Sequence, residues 1–312
     1  MAPRISCSVV SILVLFLAVQ PSTINSRSLR STKPSLTSFQ SLEGALKGQT
    51  KQGIKEVKRY LKAFGYFNYE DDENDAALMD DKFDEALERA IKSYQKFYRL
   101  QVTGKLDVDT VKQMSATRCG VPDVVHHRHA KRNAGKHSKF HIVVRYTFFP
   151  GDPKWPTSQT NLKYTFGPII GKAPPSDVKE ACRKAFQSWS SVSQFKFEEV
   201  QSEDSANIVI GFYQGDHGDG YPFDGVGNIL AHASSPTSGL LHFDADEPWS
   251  ASPSASDVDL ESVALHEIGH VLGLGHSTDQ NAVMFAVLTN GAVKRDLRQD
   301  DINGIHALYP RK

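Results

Sequence analysis

Residues 266–276 read His-Glu-Ile-Gly-His-Val-Leu-Gly-Leu-Gly-His. Side chains four positions apart lie on one face of an α-helix, so His266 and His270 would point the same way. Two imidazoles placed like this can bind one tetrahedral Zn²⁺. Gly273 would end the helix, because glycine tolerates the left-handed conformation found there, and the chain could return with His276 as a third ligand. Three protein ligands leave the fourth position to water, which is typical of a catalytic zinc site.

Glu267 stands beside the first histidine, where it would reach a water on the metal rather than the metal itself. Zinc lowers the pKa of such a water to about 7, and a carboxylate can take its proton as it attacks a peptide carbonyl. A helix that merely carries surface histidines is the alternative for the first five residues of the pattern. The full eleven-residue pattern over residues 266–276 favours a metal-dependent peptidase.

Composition narrows the class of protein. The chain has 312 residues, enough for two modest domains, and its 36 Lys and Arg balance its 36 Asp and Glu. No excess of charge therefore indicates nucleic acid or an anionic membrane as a partner. The three cysteines, Cys7, Cys119 and Cys182, are too few for a disulfide scaffold. Cys182 falls on an apolar helix face, which predicts a buried core thiol.

The N-terminus has the layout of a secretory signal peptide. Arg4 precedes an apolar run, residues 9–19, and small polar residues follow. The run is shorter than the roughly 20 residues that a transmembrane helix needs, although an uncleaved anchor remains the alternative. We assign residues 1–26 to the signal peptide and expect a chain without a transmembrane segment in the extracellular space or matrix.

Residues 27–123 are predicted to form a small helical domain. Apolar residues recur at helical spacing over residues 42–67 and 81–98, and a third short helix is indicated near residues 106–114. Helices with such apolar stripes bury them against one another. The pattern therefore predicts an all-α, three-helix bundle.

Residues 124–140 form a basic, histidine-rich linker with almost no core-forming side chains. Such a segment is solvated and accessible to proteases, and Lys131-Arg132 is a candidate cleavage site. A metal-binding tract is the alternative, but no carboxylate or cysteine completes a ligand set there. We interpret the segment as an activation linker.

Residues 141–312 mix strands and helices around long loops. Strand-like runs and helical patterns alternate, and the last two helices are predicted near residues 259–272 and 298–309. The strands are predicted over residues 142–149, 162–166, 195–197 and 208–212, with a helix from about residue 176 between the second and third. This order indicates an α+β domain.

The motif with Met284 downstream resembles the metzincin signature, in which the methionine is a hydrophobic floor under the metal. Three further features make nearly the whole chain after the signal peptide similar to the matrix metalloproteinases, the matrixin subfamily. The resemblance implies an α+β, zincin-like catalytic domain with a twisted, mainly parallel five-stranded sheet and three helices. It also implies that the three-helix bundle is a prodomain.

The first feature is residues 117–123, Thr-Arg-Cys-Gly-Val-Pro-Asp, which resemble the family's cysteine switch. By the resemblance, Cys119 binds the catalytic zinc in the precursor, and Arg118 pairs with Asp123 to hold the segment. A thiolate on the fourth position would displace the water and keep the enzyme latent. The family usually has proline where Thr117 stands here.

The second feature is residues 215–247, which resemble the family's metal-binding loop and strands. The resemblance places a structural zinc on four donors, His217, Asp219, His232 and His242. It places calcium on an oxygen-rich set, namely Asp224, Gly225, Gly227, Ile229, Asp244 and Glu247. A second family calcium site uses Gly-Gly-Asp where Gly239-Leu240-Leu241 stands here, so we expect two zinc ions and at least one calcium.

The third feature is residues 298–309, which match the family's terminal helix. Asp300 or Asp301 would either receive the new N-terminal ammonium after activation or serve the helix N-terminus. By the same resemblance, Leu230 and Ala231 form the edge that pairs with an extended substrate. The pocket beside the zinc should accept an apolar, Leu-like side chain on the primed side.

These features together predict a secreted, latent zinc endopeptidase that hydrolyses internal peptide bonds of extracellular proteins. The arrangement, without a hemopexin-like domain, resembles plant matrix metalloproteinases, for which the location would be the apoplast. We expect protein or peptide substrates, an activating protease and a monomer. Two alternatives remain, a catalytically silent binding protein whose bundle resembles a peptidoglycan-binding module and a zinc-stabilised protein that sequesters peptides.

Overall fold

The computed structural model describes residues 37–67, 80–124 and 145–310. The predicted signal peptide and nearly all of the predicted linker lie outside these residues, so both stay predictions. The described chain begins with a helical region. Its helices are α1 (Thr37–Gln40), α2 (Ile54–Ala63), α3 (Glu85–Phe97) and α4 (Val108–Met114).

Helices α2, α3 and α4 correspond to the three helices of the predicted bundle, but the first begins later than its apolar spacing suggests. The spacing predicted a helix from about residue 42, whereas α2 begins at Ile54. Gly48 and Gly53 have φ angles of 95° and 102°, which interrupt a right-handed helix. The apolar faces of the three helices form a buried core, as predicted.

A mixed sheet organises the second region. Its strands are β1 (Arg118–Cys119), β2 (Asn161–Phe166), β3 (Lys196–Glu199), β4 (Ile208–Tyr213), β5 (Ile229–Ala233) and β6 (Leu240–Asp244). The strand order is β1-β5-β6-β4-β2-β3, and every pair is parallel except β5 with β6. The five strands from β2 onward confirm the predicted mainly parallel sheet, and β1 is added from the end of the helical region.

Three helices pack with this sheet and complete the predicted α+β architecture. They are α5 (Pro175–Val192), α6 (Leu260–Val271) and α7 (Gln299–Leu308). Trp189 of α5 donates from Nε1 to the carbonyl of Leu265 in α6 at 2.8 Å. Cys182 is buried on the same face of α5, as expected of a core thiol. A small parallel pair, β7 (Trp249–Ser250) and β8 (Val258–Asp259), leads into α6.

The strand predicted over residues 142–149 is not found where the chain is described. Residues 142–144 lie outside the described part, and residues 145–149 carry only an isolated bridge between Phe148 and Leu274. Among the described residues, no helix combines the length and the apolar character that crossing a membrane requires.

Candidate metal centre and active site

Helix α6 brings His266 and His270 together one turn apart, and the turn that follows returns His276 to them. Gly273 ends the helix with a φ of 103°, the left-handed value that the sequence predicted. The Nε2 atom of His270 lies 3.1 Å from Nε2 of His266 and 3.2 Å from Nε2 of His276. Two nitrogens that each lie about 2.0–2.1 Å from a tetrahedral zinc are about 3.3–3.4 Å apart, so the three rings fit one zinc ion.

The electrostatics of the three rings also favour metal binding. Burial lowers the pKa of His266 to about 3, and it lowers the pKa of His270 and His276 as well. The rings are therefore neutral at pH 7 and have lone pairs to donate. Hydrogen bonds from His266 Nδ1 to the Val283 carbonyl, at 2.7 Å, and from His270 Nδ1 to the Leu274 carbonyl, at 2.8 Å, leave the Nε2 atoms free for the metal.

Cys119 adds a fourth donor to the three histidines. Its Sγ lies 3.4 Å from Nε2 of His270, and the four donor atoms all lie within 4.8 Å of one another. Burial raises the pKa of the thiol well above its ordinary value, and the nearby Glu267 carboxylate adds to the effect. A thiolate at this position therefore needs a cation beside it.

Glu267 is fully buried beside the histidines, and neither of its carboxylate oxygens has a hydrogen-bond partner among the described residues. Burial raises the pKa of this carboxyl to about 8, although the Cys119 thiol opposes the rise. An unsatisfied buried carboxyl costs free energy unless a water or an ion meets it. Its position suits a general base that receives a water molecule in the active state.

Met284 packs against α6 at Gly269, which lies between the ligands His266 and His270. It is fully buried, and a Cβ added to Gly269 would lie 2.3 Å from its Sδ. The carboxylate of Asp301 at the start of α7 holds this segment, because it accepts from the backbone N–H groups of Val283 and Met284 at 3.0 Å each. Asp301 also accepts a hydrogen bond from the Arg298 N–H, so its carboxylate caps the N-terminus of α7. The ammonium role stays a prediction.

The segment around Cys119 occupies the cleft beside the metal centre. On one side, Arg118 N–H donates to the Asn228 carbonyl at 2.6 Å and Gly120 N–H to the Ala231 carbonyl at 2.8 Å. On the other side, Cys119 N–H donates to the Ala286 carbonyl at 2.9 Å. The edge strand β5, which includes Leu230, is therefore already paired in this state.

A buried ion pair holds the segment in place, between the residues that the resemblance paired. Arg118 Nη2 lies 2.6 Å from Asp123 Oδ1, and both side chains are at most 1% exposed. The hydroxyls of Tyr66 and Tyr98 donate to Asp123 Oδ2 at 2.6 and 2.9 Å. Burial would raise the pKa of Asp123, but Arg118 and His276 outweigh that effect and hold the pKa well below its usual range.

The predicted structural zinc ligands also converge. Asp219 Oδ2 lies 3.0 Å from His217 Nε2, 2.7 Å from His232 Nε2 and 2.9 Å from His242 Nδ1. Burial lowers the pKa of His232 to about 4, so this ring is a neutral donor at pH 7. Four protein donors around one site are typical of a structural zinc.

The predicted calcium ligands are close in the fold, but they are not gathered as tightly. Backbone N–H groups of Gly225 and Gly227 donate to Asp244 at 3.1 Å and to Glu247 at 2.6 Å. Ile229 N–H donates to Asp224 at 3.3 Å. The described residues hold two donor clusters within 4.8 Å, and these carboxylates do not form a third. Burial raises the pKa of Asp244 to about 6 and of Glu247 to about 8, which suits carboxylates that share a cation.

Sequence reasoning identified neither Lys294 in the pocket beside His266 nor most of the apolar residues that line it. Lys294 lines this pocket, which is otherwise mostly apolar. The pocket is formed by Leu230, Val263, Val283, Phe285, Ala286, Val287 and Leu288 together with the active-site residues. The Lys294 ammonium donates to the Gln280 carbonyl at 2.7 Å and lies 5.0 Å from the Phe285 ring centroid. No local pattern signals this contact, because it depends on how the loop after Met284 folds back.

Two family models match the chain. The Matrixin model covers residues 154–310, which include both donor clusters except Cys119. The PG_binding_1 model, described as a peptidoglycan binding domain, covers residues 50–114 of the helical region.

Named relatives match over most of the chain. It is 46% identical to Metalloendoproteinase 1 of Glycine max, over 84% of this chain and 83% of that protein. It is 41% identical to Metalloendoproteinase 2-MMP of Arabidopsis thaliana, over 95% of this chain and 83% of that protein. It is 39% identical to the Interstitial collagenase of Sus scrofa, over 83% of this chain and 50% of that protein.

Proposed function

The chain belongs to the matrixin family of zinc metalloendopeptidases, and from that premise we propose that it is a secreted, latent endopeptidase of extracellular proteins. The observation that carries the proposal is the convergence of three buried Nε2 atoms and the Cys119 sulfur beside Glu267. Secretion rests on the N-terminal sequence pattern alone.

For catalysis, zinc would be held by His266, His270 and His276 and would supply a Lewis acid that polarises the peptide carbonyl. Glu267 removes the proton of the attacking water and can deliver it to the departing amine nitrogen. With the switch segment docked, burial raises the pKa of the Glu267 carboxyl to about 8, which favours the protonated form that donates to the amine nitrogen.

Substrate binding uses the same edge that the switch segment occupies in the precursor. An extended peptide would pair with β5 at Leu230 and Ala231 once residues 117–123 have left. The lining of the pocket beside His266 supports a preference for an apolar, Leu-like side chain on the primed side. Such binding needs no second copy of the chain, and we propose a monomer.

Latency follows from the position of Cys119 on the face of the three histidines. An activating protease would cut in the linker and release the prodomain, which frees the fourth metal position and the β5 edge together. The second cluster, His217, Asp219, His232 and His242, would hold a structural zinc. Calcium at Asp224, Asp244 and Glu247, with backbone groups of Gly225, Gly227 and Ile229, would stabilise the neighbouring loop.

Two variants test the catalytic and the regulatory halves separately. Glu267→Ala should abolish hydrolysis of a Leu-containing peptide by the activated chain while its zinc content stays near that of the unsubstituted chain. Cys119→Ser should make the precursor active without removal of the prodomain. An activated chain that cleaves neither denatured protein nor peptide contradicts the peptidase proposal, and a fully latent Cys119→Ser precursor contradicts the switch.

A further inference from the structure

The three histidine rings of the metal centre differ in what holds their second nitrogen. Nδ1 of His266 and of His270 each meets a backbone carbonyl from within the Matrixin region. Nδ1 of His276 meets a carboxylate instead, Asp123 Oδ1, at 2.8 Å. Both side chains of this contact are 0% exposed, and Asp123 lies 153 residues earlier in the chain, in the switch segment.

A carboxylate on Nδ1 has a defined effect on an imidazole ligand. It fixes the tautomer that carries hydrogen on Nδ1, orients the ring and makes Nε2 a more basic donor. Asp123 suits this task because Arg118 pairs with it in the protein interior, with Nη2 of Arg118 2.6 Å from Oδ1 of Asp123. The tyrosine hydroxyls of Tyr66 and Tyr98 bind the other oxygen, so Oδ1 stays directed at His276 and Arg118.

We propose that the prodomain retains the catalytic zinc through His276 as well as through Cys119, with Asp123 as an outer-sphere partner of the metal site. One carboxylate then has two tasks, pairing with Arg118 and positioning a metal ligand. The inference rests on the proposed function, since it requires zinc at the three histidines. Removal of the prodomain takes away both the Cys119 sulfur and the Asp123 carboxylate. The catalytic zinc is therefore held more tightly in the precursor than the Cys119 ligand alone would explain.

The test measures zinc release from the full-length precursor in a Glu267→Gln background, which prevents self-cleavage. Zinc transfer to a chromogenic chelator at pH 7 is compared for this precursor with Cys119 in place and for the same precursor with Asp123→Asn. Asparagine keeps the shape of Asp123 but not its charge. Loss of an outer-sphere partner costs about 10- to 100-fold in metal affinity, so we expect transfer at least about tenfold faster with the second substitution.

Tyr66→Phe is the matched control, because it removes a hydrogen bond to Asp123 Oδ2 and leaves the contact from Oδ1 to His276. Its zinc transfer should stay within about twofold of the parent chain. Equal transfer rates with and without Asp123→Asn overturn the inference. If the starting precursor carries no zinc at the three histidines, the proposed function fails instead, so the two failures are distinguishable.

A spectroscopic measurement covers the case in which Asp123→Asn undocks the prodomain. In the zinc-loaded precursor with Asp123 intact, the His276 ring should show a protonated Nδ1 by long-range ¹H–¹⁵N correlation, with the downfield proton of a carboxylate-bound imidazole. Tyr66→Phe should leave this resonance in place. Its absence from the intact precursor contradicts the proposed contact whatever the variants do.

Discussion

Thr117 and Leu288 are joined by a pair of hydrogen bonds between the switch segment and the pocket wall. The Thr117 hydroxyl donates to the Leu288 carbonyl, and the Leu288 N–H donates to the Thr117 carbonyl at 3.2 Å. Thr117 stands where the family usually has proline, which has no hydroxyl to donate. The side chain therefore gives this chain an anchor for the switch that proline cannot provide.

Thr117→Val should loosen the switch, because it removes the hydroxyl and keeps the branched shape. A hydrogen bond of this kind contributes about 0.5–1.5 kcal/mol, so activation of the precursor by a mercurial should be roughly two- to tenfold faster. Thr117→Ser is the control, since it keeps the hydroxyl and should activate at nearly the parent rate. Equal rates for the valine and serine variants would show that the hydroxyl does not hold the segment.

Gly269→Ala should disturb the metal centre through Met284. The added Cβ would lie 2.3 Å from Met284 Sδ and 3.0 Å from Trp189 Cζ2, so side chains must shift. Overpacking of this kind costs about 1–3 kcal/mol, and Gly269 lies between two ligands, so zinc content should fall as well. Denaturant unfolding and zinc content per chain measure the two effects.

Met284→Ala in the same chain tests whether that clash is the cause. The smaller residue removes the sulfur that meets the new Cβ, so the double variant should lose less stability than the sum of the two single losses. Gly304→Ala is a milder control, because its Cβ would meet Leu274 Cδ2 at 3.1 Å. Strict additivity of the two single effects excludes a direct contact between residues 269 and 284.

The part of the site that local pattern determines could be predicted from the sequence. His266 and His270 share a helix face by spacing, and Gly273 ends the helix because only a left-handed residue fits there. Local pattern was less reliable near Leu46, where apolar spacing suggested helix. Gly48 and Gly53 adopt left-handed conformations in that stretch, and their conformation could not be deduced from hydrophobic spacing.

Contacts between distant parts of the chain were not predictable from pattern. The Asp123–His276 contact forms only when the helical region and the sheet-containing region are docked. The same docking brings the rings of Tyr98 and Phe285 together edge-on, with 5.7 Å between their centroids. Family resemblance supplied the pairing of Arg118 with Asp123. It did not supply the contact of Lys294 with the pocket, because that depends on a loop whose course the sequence does not specify.

Asp219→Ala should remove the ion of the second cluster and leave the catalytic one. Asp219 Oδ2 lies within 3.0 Å of three ring nitrogens, so its loss removes the one anionic donor of that set. An ion present at about 100 times its Kd contributes about 2.7 kcal/mol to stability. That corresponds to a fall of roughly 5–10 °C in Tm for a domain of this size.

Zinc content of the Asp219→Ala chain should fall from two ions to one, measured by atomic emission on the purified precursor. Asp216→Ala, on the same loop and outside the cluster, is the control and should keep both ions. A variant that keeps two zinc ions and its full Tm contradicts a structural zinc at this cluster.

Lys294 should make stability depend on pH in the alkaline range. Burial lowers the pKa of its ammonium from 10.5 to about 8, so between these values the unfolded chain holds a proton that the folded chain has released. Stability then rises with pH across this window, because the unfolded state binds more protons. Lys294→Met keeps the bulk of the side chain and removes its charge. The parent chain should therefore gain stability relative to this variant from pH 7.5 to pH 10, as measured by the difference between their free energies of unfolding. Denaturant unfolding at several pH values measures this difference, with Lys105→Met at an exposed position as the control. A difference that stays constant with pH, or that falls, contradicts a partly buried ammonium with a lowered pKa at the pocket.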